Sequence, residues 1–129
     1  MAHWGVAYAI GPNYNLPWHL YDPDGRAQAL AGAYDATQLA LSHVANTTPV
    51  EQALIRALPA RYAQRDPIED LSPWNQDFCD EMRRIYTDTP NDLEVRSIFA
   101  EAIMNLTPWL MWDLKTGDVA EGAGTIEAM

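Results

Sequence analysis

Lysine is almost missing from this sequence: Lys115 is the only one among 129 residues. Adding the arginines gives eight basic side chains against eighteen acidic ones and a formal charge of −10. Such a chain repels a phosphate backbone or an anionic lipid surface before any specific contact forms. Nucleic acid and membrane are therefore poor partners, and a basic peptide or cationic ligand is the better electrostatic match. Cysteine is nearly absent too. The lone Cys79 rules out an intramolecular disulfide and suits a reducing, cytoplasmic compartment. No charged-apolar-small signal opens the chain, and no run reaches the roughly 18 apolar residues of a membrane-spanning helix. Without export, the acceptor patterns at Asn46 and Asn105 are chance. The phosphate-cradling patterns G-x-G-x-x-G and G-x-x-x-x-G-K do not occur, nor do H-E-x-x-H and C-x-x-C, so no cofactor and no metal are implied. His3, His19 and His43 have no ligand spacing. Asp22-Pro23-Asp24-Gly25 lacks the further oxygen ligands of a calcium loop and reads as a turn.

The chain is otherwise apolar enough to fold: 48% of its residues are hydrophobic, five are Trp and six are Tyr, which suffices for one domain with a real core. Helical periodicity dominates and period-two alternation is missing, so the fold class is all-α. A first helix is stopped near Ile10 by Gly11-Pro12. A long aromatic loop, 11–25, follows. From Arg26 to Val44 a helix places Leu30, Tyr34, Thr37, Leu41 and Val44 on one stripe. Thr48, Pro49 and Glu51 form a helix start with a capping box, and Val50, Leu54, Ala57 and Leu58 line the helix that follows until Pro59 kinks or stops it. Ser72, read as an N-cap, opens a helix carrying Trp74, Phe78, Met82 and Ile85. Another begins near Asp92 with Val95, Phe99, Ala102 and Leu106, and ends before Pro108. Residues 115–124 are small, acidic and Gly-rich, a flexible connector.

Phe78 to Ile103 is the most informative stretch: a helix packing through Phe78, Met82 and Ile85, a turn at Pro90, and a helix packing through Phe99, Ala100 and Ile103. This resembles the joint between consecutive tetratricopeptide (TPR) repeats. Ala2 to Tyr8 reads as another repeat helix, with Trp4 in the large slot, Gly5 in the small slot where helices approach closely, and Tyr8 in the aromatic slot. Thr125 reads as the N-cap of a further helix. Both end repeats are incomplete, as expected for a fragment of a longer chain. Gly11-Pro12-Asn13-Tyr14-Asn15 after a Trp-Gly helix, and Pro108-Trp109-Leu110-Met111-Trp112 later, make the chain similar to a large group of mostly uncharacterised bacterial and fungal TPR-containing proteins. The resemblance covers nearly the whole chain. It implies a single domain, 1–129, of antiparallel helix pairs stacked as a short right-handed TPR-like superhelix, and it brings no established catalytic role.

Ser42, Ser72, Ser97 and Cys79 lack the setting of a nucleophile, and Glu69-Asp70 and Asp80-Glu81 read as solvated charge. Arg83, Arg84 and Arg96 are expected to pair with Asp80, Glu81, Asp88 and Glu94. The leading functional expectation is a non-enzymatic protein-interaction module binding a protein or peptide, or another copy of itself through exposed end repeats displaying Trp4, Tyr8, Ile126 and Met129. The alternative is a small-molecule or enzymatic pocket between the two aromatic loops, with Asn13 and Asn15 as hydrogen-bonders and Trp18, Trp109 and Trp112 as walls. Turn chemistry alone also accounts for those asparagines.

Overall fold

The computed structural model describes residues 1–129. Its six α-helices are α1 (Ala2–Ile10), α2 (Pro23–Ser42), α3 (Pro49–Arg61), α4 (Ser72–Asp88), α5 (Leu93–Met104) and α6 (Thr125–Ala128), with short 3-10 turns at Trp18–Leu20 and Val44–Asn46. There is no strand, only the isolated bridges Asn13–Leu16 and Trp112–Val119. The fold is all-α, and each helix packs against its neighbours in chain order. No helix is long and apolar enough to cross a membrane.

α3 is the central helix because its apolar residues face two ways. Ile55 and Leu58 join Leu30, Ala33, Ala36 and Ala40 of α2 and Trp74 of α4 in one buried cluster. Leu54 and Ala57 join Phe78, Met82 and Ile85 of α4 and Val95, Phe99 and Ile103 of α5 in the other. On α2 the buried stripe runs along the alanines rather than through Tyr34 and Leu41, which are only half-buried. Small side chains let two helix backbones approach and fill the gap without crowding. The turn containing Pro90 lies between α4 and α5, and Ala100 is only half-buried.

The helix starts show which local rules won. Thr48 and Glu51 form the full capping box. α2 begins at Pro23, three residues before Arg26, because the Asp22 side chain accepts from Gly25 N and Pro23 takes the first turn. Ser72 is not a cap: its backbone N–H and its hydroxyl both donate to the Asp70 carboxylate, and Leu71 sits at the cap position. Those bonds hold Asp70 below the ordinary carboxylate range, chiefly through the Ser72 backbone N–H. Thr125 is likewise no cap, since its hydroxyl donates to Met111 O and Gly124 precedes the helix. Pro59 does not break α3, which runs on to Arg61. The 115–124 connector is folded: Asp113 N donates to Asp118 O, Gly117 N to Asp113 O and Ala120 N to Met111 O.

Gly5 is not a close-approach position. A methyl group built there meets no atom within 4 Å, so the glycine only loosens α1. Gly5→Ala is expected to raise stability by about 0.5–1 kcal/mol, read by urea denaturation.

Of the arginines, Arg84 pairs with Glu81, while Arg83 reaches Asp80 and also Glu127 of α6, with Nε at 2.7 Å from Oε1 and Nη2 at 3.1 Å from Oε2. This fork ties α6 to α4. Hydrogen bonding to Arg83 outweighs the cost of burial and holds Glu127 below its ordinary value of 4.5. A depressed folded-state pKa means that the pair contributes fully above the unfolded value and is lost as pH falls through the folded one. Carbon-detected NMR titration of Glu127 is expected to give a midpoint below 4.5, returning towards it in Arg83→Gln.

Candidate functional site

The polar centre of the molecule is Arg61, at the end of α3 and 2% exposed. Its guanidinium lies between two ring faces, with Cζ 4.7 Å from the Tyr8 centroid and 4.8 Å from that of Phe78. Nη2 donates to Pro12 O, and Nη1 stands 3.8 Å from Glu101 Oε2. Glu101 is shared: Tyr8 Oη donates to one carboxylate oxygen and Asn105 Nδ2 to the other. Burial, then the Glu101 charge, pushes the Tyr8 hydroxyl well above its usual range, so it stays a proton donor. Next in sequence, Tyr62 donates to Ala7 O at 2.8 Å, and burial pushes its hydroxyl up to about 12. Together these side chains clamp the end of α1 and the Gly11-Pro12 turn onto α3 and α5. No sequence motif announced them, because Tyr8, Arg61 and Glu101 meet only through the helix packing.

Two concave places flank this centre. The first is a groove between α1 and α5 of about 520 Å³, lined by Trp4, Tyr8, Leu93, Glu94, Ser97 and Ile98. Trp4 and Tyr8 stack with centroids 4.9 Å apart, and the Trp4 indole N–H donates to Leu54 O at 3.1 Å. The aromatic floor is thus fixed in place, while Leu93 on the rim is 72% exposed. An exposed leucine beside a rigid aromatic pair is a hydrophobic surface without an internal partner.

The second lies where the two aromatic loops meet. Tyr14 packs on Trp109 with centroids 5.5 Å apart, and Trp109 adopts the left-handed backbone conformation, φ 67°, unusual for a bulky residue. Behind them a cavity of about 290 Å³ is walled by Pro17, Trp18, Arg26, Glu69, Asn105 and Pro108, among others. Trp18 Nε1, Arg26 Nε and Asn105 Oδ1 are enclosed by the protein, without a hydrogen-bond partner and without surface open to the cavity. Each such atom costs about 1–3 kcal/mol when left unsatisfied.

Of the residues singled out from sequence, Trp18 reaches this cavity wall. Asn13 does not: its Oδ1 accepts from the backbone N–H of Asn15 and Leu16, a turn device. Asn15 enters that turn through its backbone, Trp109 covers Tyr14, and Trp112 bridges to Val119, so none of the three walls the cavity. Trp4 and Tyr8 form the floor of the groove. Ile126 and Met129 are exposed on α6 and beyond it. The rings of His3 and His43 stack at 6.0 Å; no group of three or more His, Cys, Asp or Glu side chains is placed to hold a metal ion. Cys79 is buried, and desolvation pushes its thiol up to about 11, which leaves it unreactive at neutral pH.

Compared with known proteins, the chain matches no family model, and neither a curated protein nor a solved structure is significantly similar to it.

Proposed function

We propose that this chain is a protein-interaction module whose α1/α5 groove takes a large apolar side chain from a basic segment of another polypeptide. The groove itself carries the reading: a fixed Trp4–Tyr8 floor with the exposed Leu93 and the half-buried Ile98 on its rim. Helix grooves of this kind receive apolar anchors of partner segments. The basic flank follows from Glu94 on the rim and a chain charge of −10, which speeds encounter with cationic partners and makes it salt-sensitive. Helix pairs packed in chain order support the TPR-like reading of the architecture, in which such grooves form on the inner face. Location in the cytoplasm agrees with the buried free thiol.

Selection of ligands from a random peptide-display library tests this reading. The expected binders carry a large apolar residue next to Lys or Arg, and their affinity falls as salt rises. Leu93→Glu is expected to weaken them by at least about tenfold while changing stability by no more than about 0.5 kcal/mol, because the side chain is solvent-exposed. Selected peptides that bind Leu93→Glu as well as wild type would place the interaction elsewhere. Sedimentation of the chain alone decides whether a second copy fills the groove instead, the outcome that its like charge opposes.

A further inference from the structure

The groove between α1 and α5 has chemistry that an apolar anchor alone does not use. Six residues line it: Trp4, Tyr8, Leu93, Glu94, Ser97 and Ile98. Leu93 and Ile98 suit the anchor. The Ser97 hydroxyl is turned back on its own helix, donating to Leu93 O at 2.8 Å. Two aromatic rings and one carboxylate are left. That carboxylate, Glu94, is exposed and stands outside every ion pair of the molecule. Arg96, its nearest basic neighbour in sequence, lines a different recess beside Tyr86 of α4 and Ala128 of α6. Glu101, two turns further along α5, is already shared by Tyr8, Asn105 and Arg61.

The planes of Trp4 and Tyr8 lie within 14° of parallel, so the pair forms one flat wall and not a box. The Tyr8 ring is taken, with Trp4 stacked on it and Arg61 Cζ 4.7 Å from its centroid. Trp4 is only half-buried and keeps surface open to the groove. The possible cations differ in how they meet such a wall. Trimethylated lysine is close to spherical and is held by a cage of rings around it, which two parallel planes do not supply. Lysine is a compact, strongly hydrated point charge that gains little from a flat face, whereas the arginine guanidinium is planar, weakly hydrated and forked. It can lie on a ring while its N–H edge reaches a carboxylate. The protein uses this arrangement in its own interior, where Arg61 lies on Tyr8 with Nη1 3.8 Å from Glu101. Building on the groove reading, we propose that the basic residue recognised there is an arginine, its guanidinium laid on Trp4 and paired with Glu94, while the apolar anchor meets Leu93 and Ile98.

The test uses the library-selected peptides that Leu93→Glu weakens; if there are none, the groove reading falls and arginine recognition with it. Where they exist, their basic position is expected to hold arginine more often than lysine. In the tightest of them, replacing arginine by lysine keeps the charge and is expected to weaken binding about fivefold. Citrulline keeps the planar shape without the charge, and is expected to weaken it at least about tenfold. Trimethyl-lysine is expected to do no better than lysine. Glu94→Gln is expected to weaken the arginine peptide about tenfold and to leave the citrulline peptide nearly unchanged, the coupling that marks a direct pair. Circular dichroism checks that this exposed substitution leaves the fold intact. Arginine recognition is overturned, with the groove reading left standing, by any of three results: the lysine peptide binds as tightly, trimethyl-lysine binds more tightly than arginine, or Glu94→Gln weakens the arginine and citrulline peptides alike.

Discussion

Arg61→Ala is expected to destabilise the fold by about 3–5 kcal/mol, the range for removing one partner of a buried charge network. The guanidinium sits between Tyr8 and Phe78, holds the Pro12 carbonyl and faces Glu101, so four attachments go at once. The loss falls on both buried clusters, because Tyr8 packs on one and the clamped Gly11-Pro12 turn closes the other. Against the 5–15 kcal/mol typical of a domain, this removes much of the stability margin. Arg61→Lys keeps the charge and still fails, since an ammonium has neither the planar face for two rings nor the fork that spans Pro12 and Glu101. Urea denaturation is the measurement. Losses under about 1 kcal/mol for both variants would mean that the network is incidental.

The second large effect is at Gly11. A methyl group built there falls inside the contact radius of Tyr62 Oη, with ring carbons Cζ and Cε1 at 2.8 and 2.9 Å. The backbone at Gly11 has φ −71°, which any residue adopts, so the glycine is needed for space alone. The ring cannot retreat: Tyr62 is buried, and its hydroxyl is bonded to Ala7 O. Gly11→Ala is expected to cost about 2–4 kcal/mol, from overpacking plus a broken buried hydrogen bond. A double-mutant cycle identifies the cause. Tyr62→Phe alone is expected to cost only about 1 kcal/mol, because Ala7 O keeps a second donor in Gly11 N. Removing the hydroxyl also takes away the atom nearest the new methyl, so the double variant is expected to be more stable than the sum of the single losses. Simple additivity would show that the clash lies elsewhere.

These two residues also show where sequence reasoning reaches and where it stops. Gly11-Pro12 is readable as a helix stop from the two residue types alone, and α1 does end at Ile10. That the same glycine makes room for a tyrosine 51 positions later is a tertiary fact with no local trace. The capping box at Thr48 and Glu51 was legible because all its partners lie within one turn. Ser72 and Thr125 fail as caps because other groups take their hydroxyls: Asp70, a close neighbour in sequence, for Ser72, and the distant Met111 O of the folded 111–120 segment for Thr125. Sequence alone places the start of α2 late because Asp-Pro-Asp-Gly suits a turn and a helix N-terminus equally.

At the candidate sites, the two aromatic loops touch through Tyr14 and Trp109. The side chains that sequence singles out there are mostly not those on the cavity wall. The asparagines of Gly-Pro-Asn-Tyr-Asn serve the turn itself, while Arg26 and Asn105, which do line the cavity, sit on α2 and just past the end of α5, where polar residues draw no notice. From the sequence, Trp4 and Tyr8 read as exposed ends. They are instead half-buried and stacked as the floor of a groove completed by Leu93 and Ile98 of α5.

Chemical-shift mapping with a library-selected basic peptide tests the proposed role most directly. The largest changes are expected at the Trp4 indole N–H and at the methyl groups of Leu93 and Ile98, fading in Leu93→Glu. Changes centred on Trp109 and Trp112, or on Ile126 and Met129, with Trp4 and Leu93 unmoved, would contradict it.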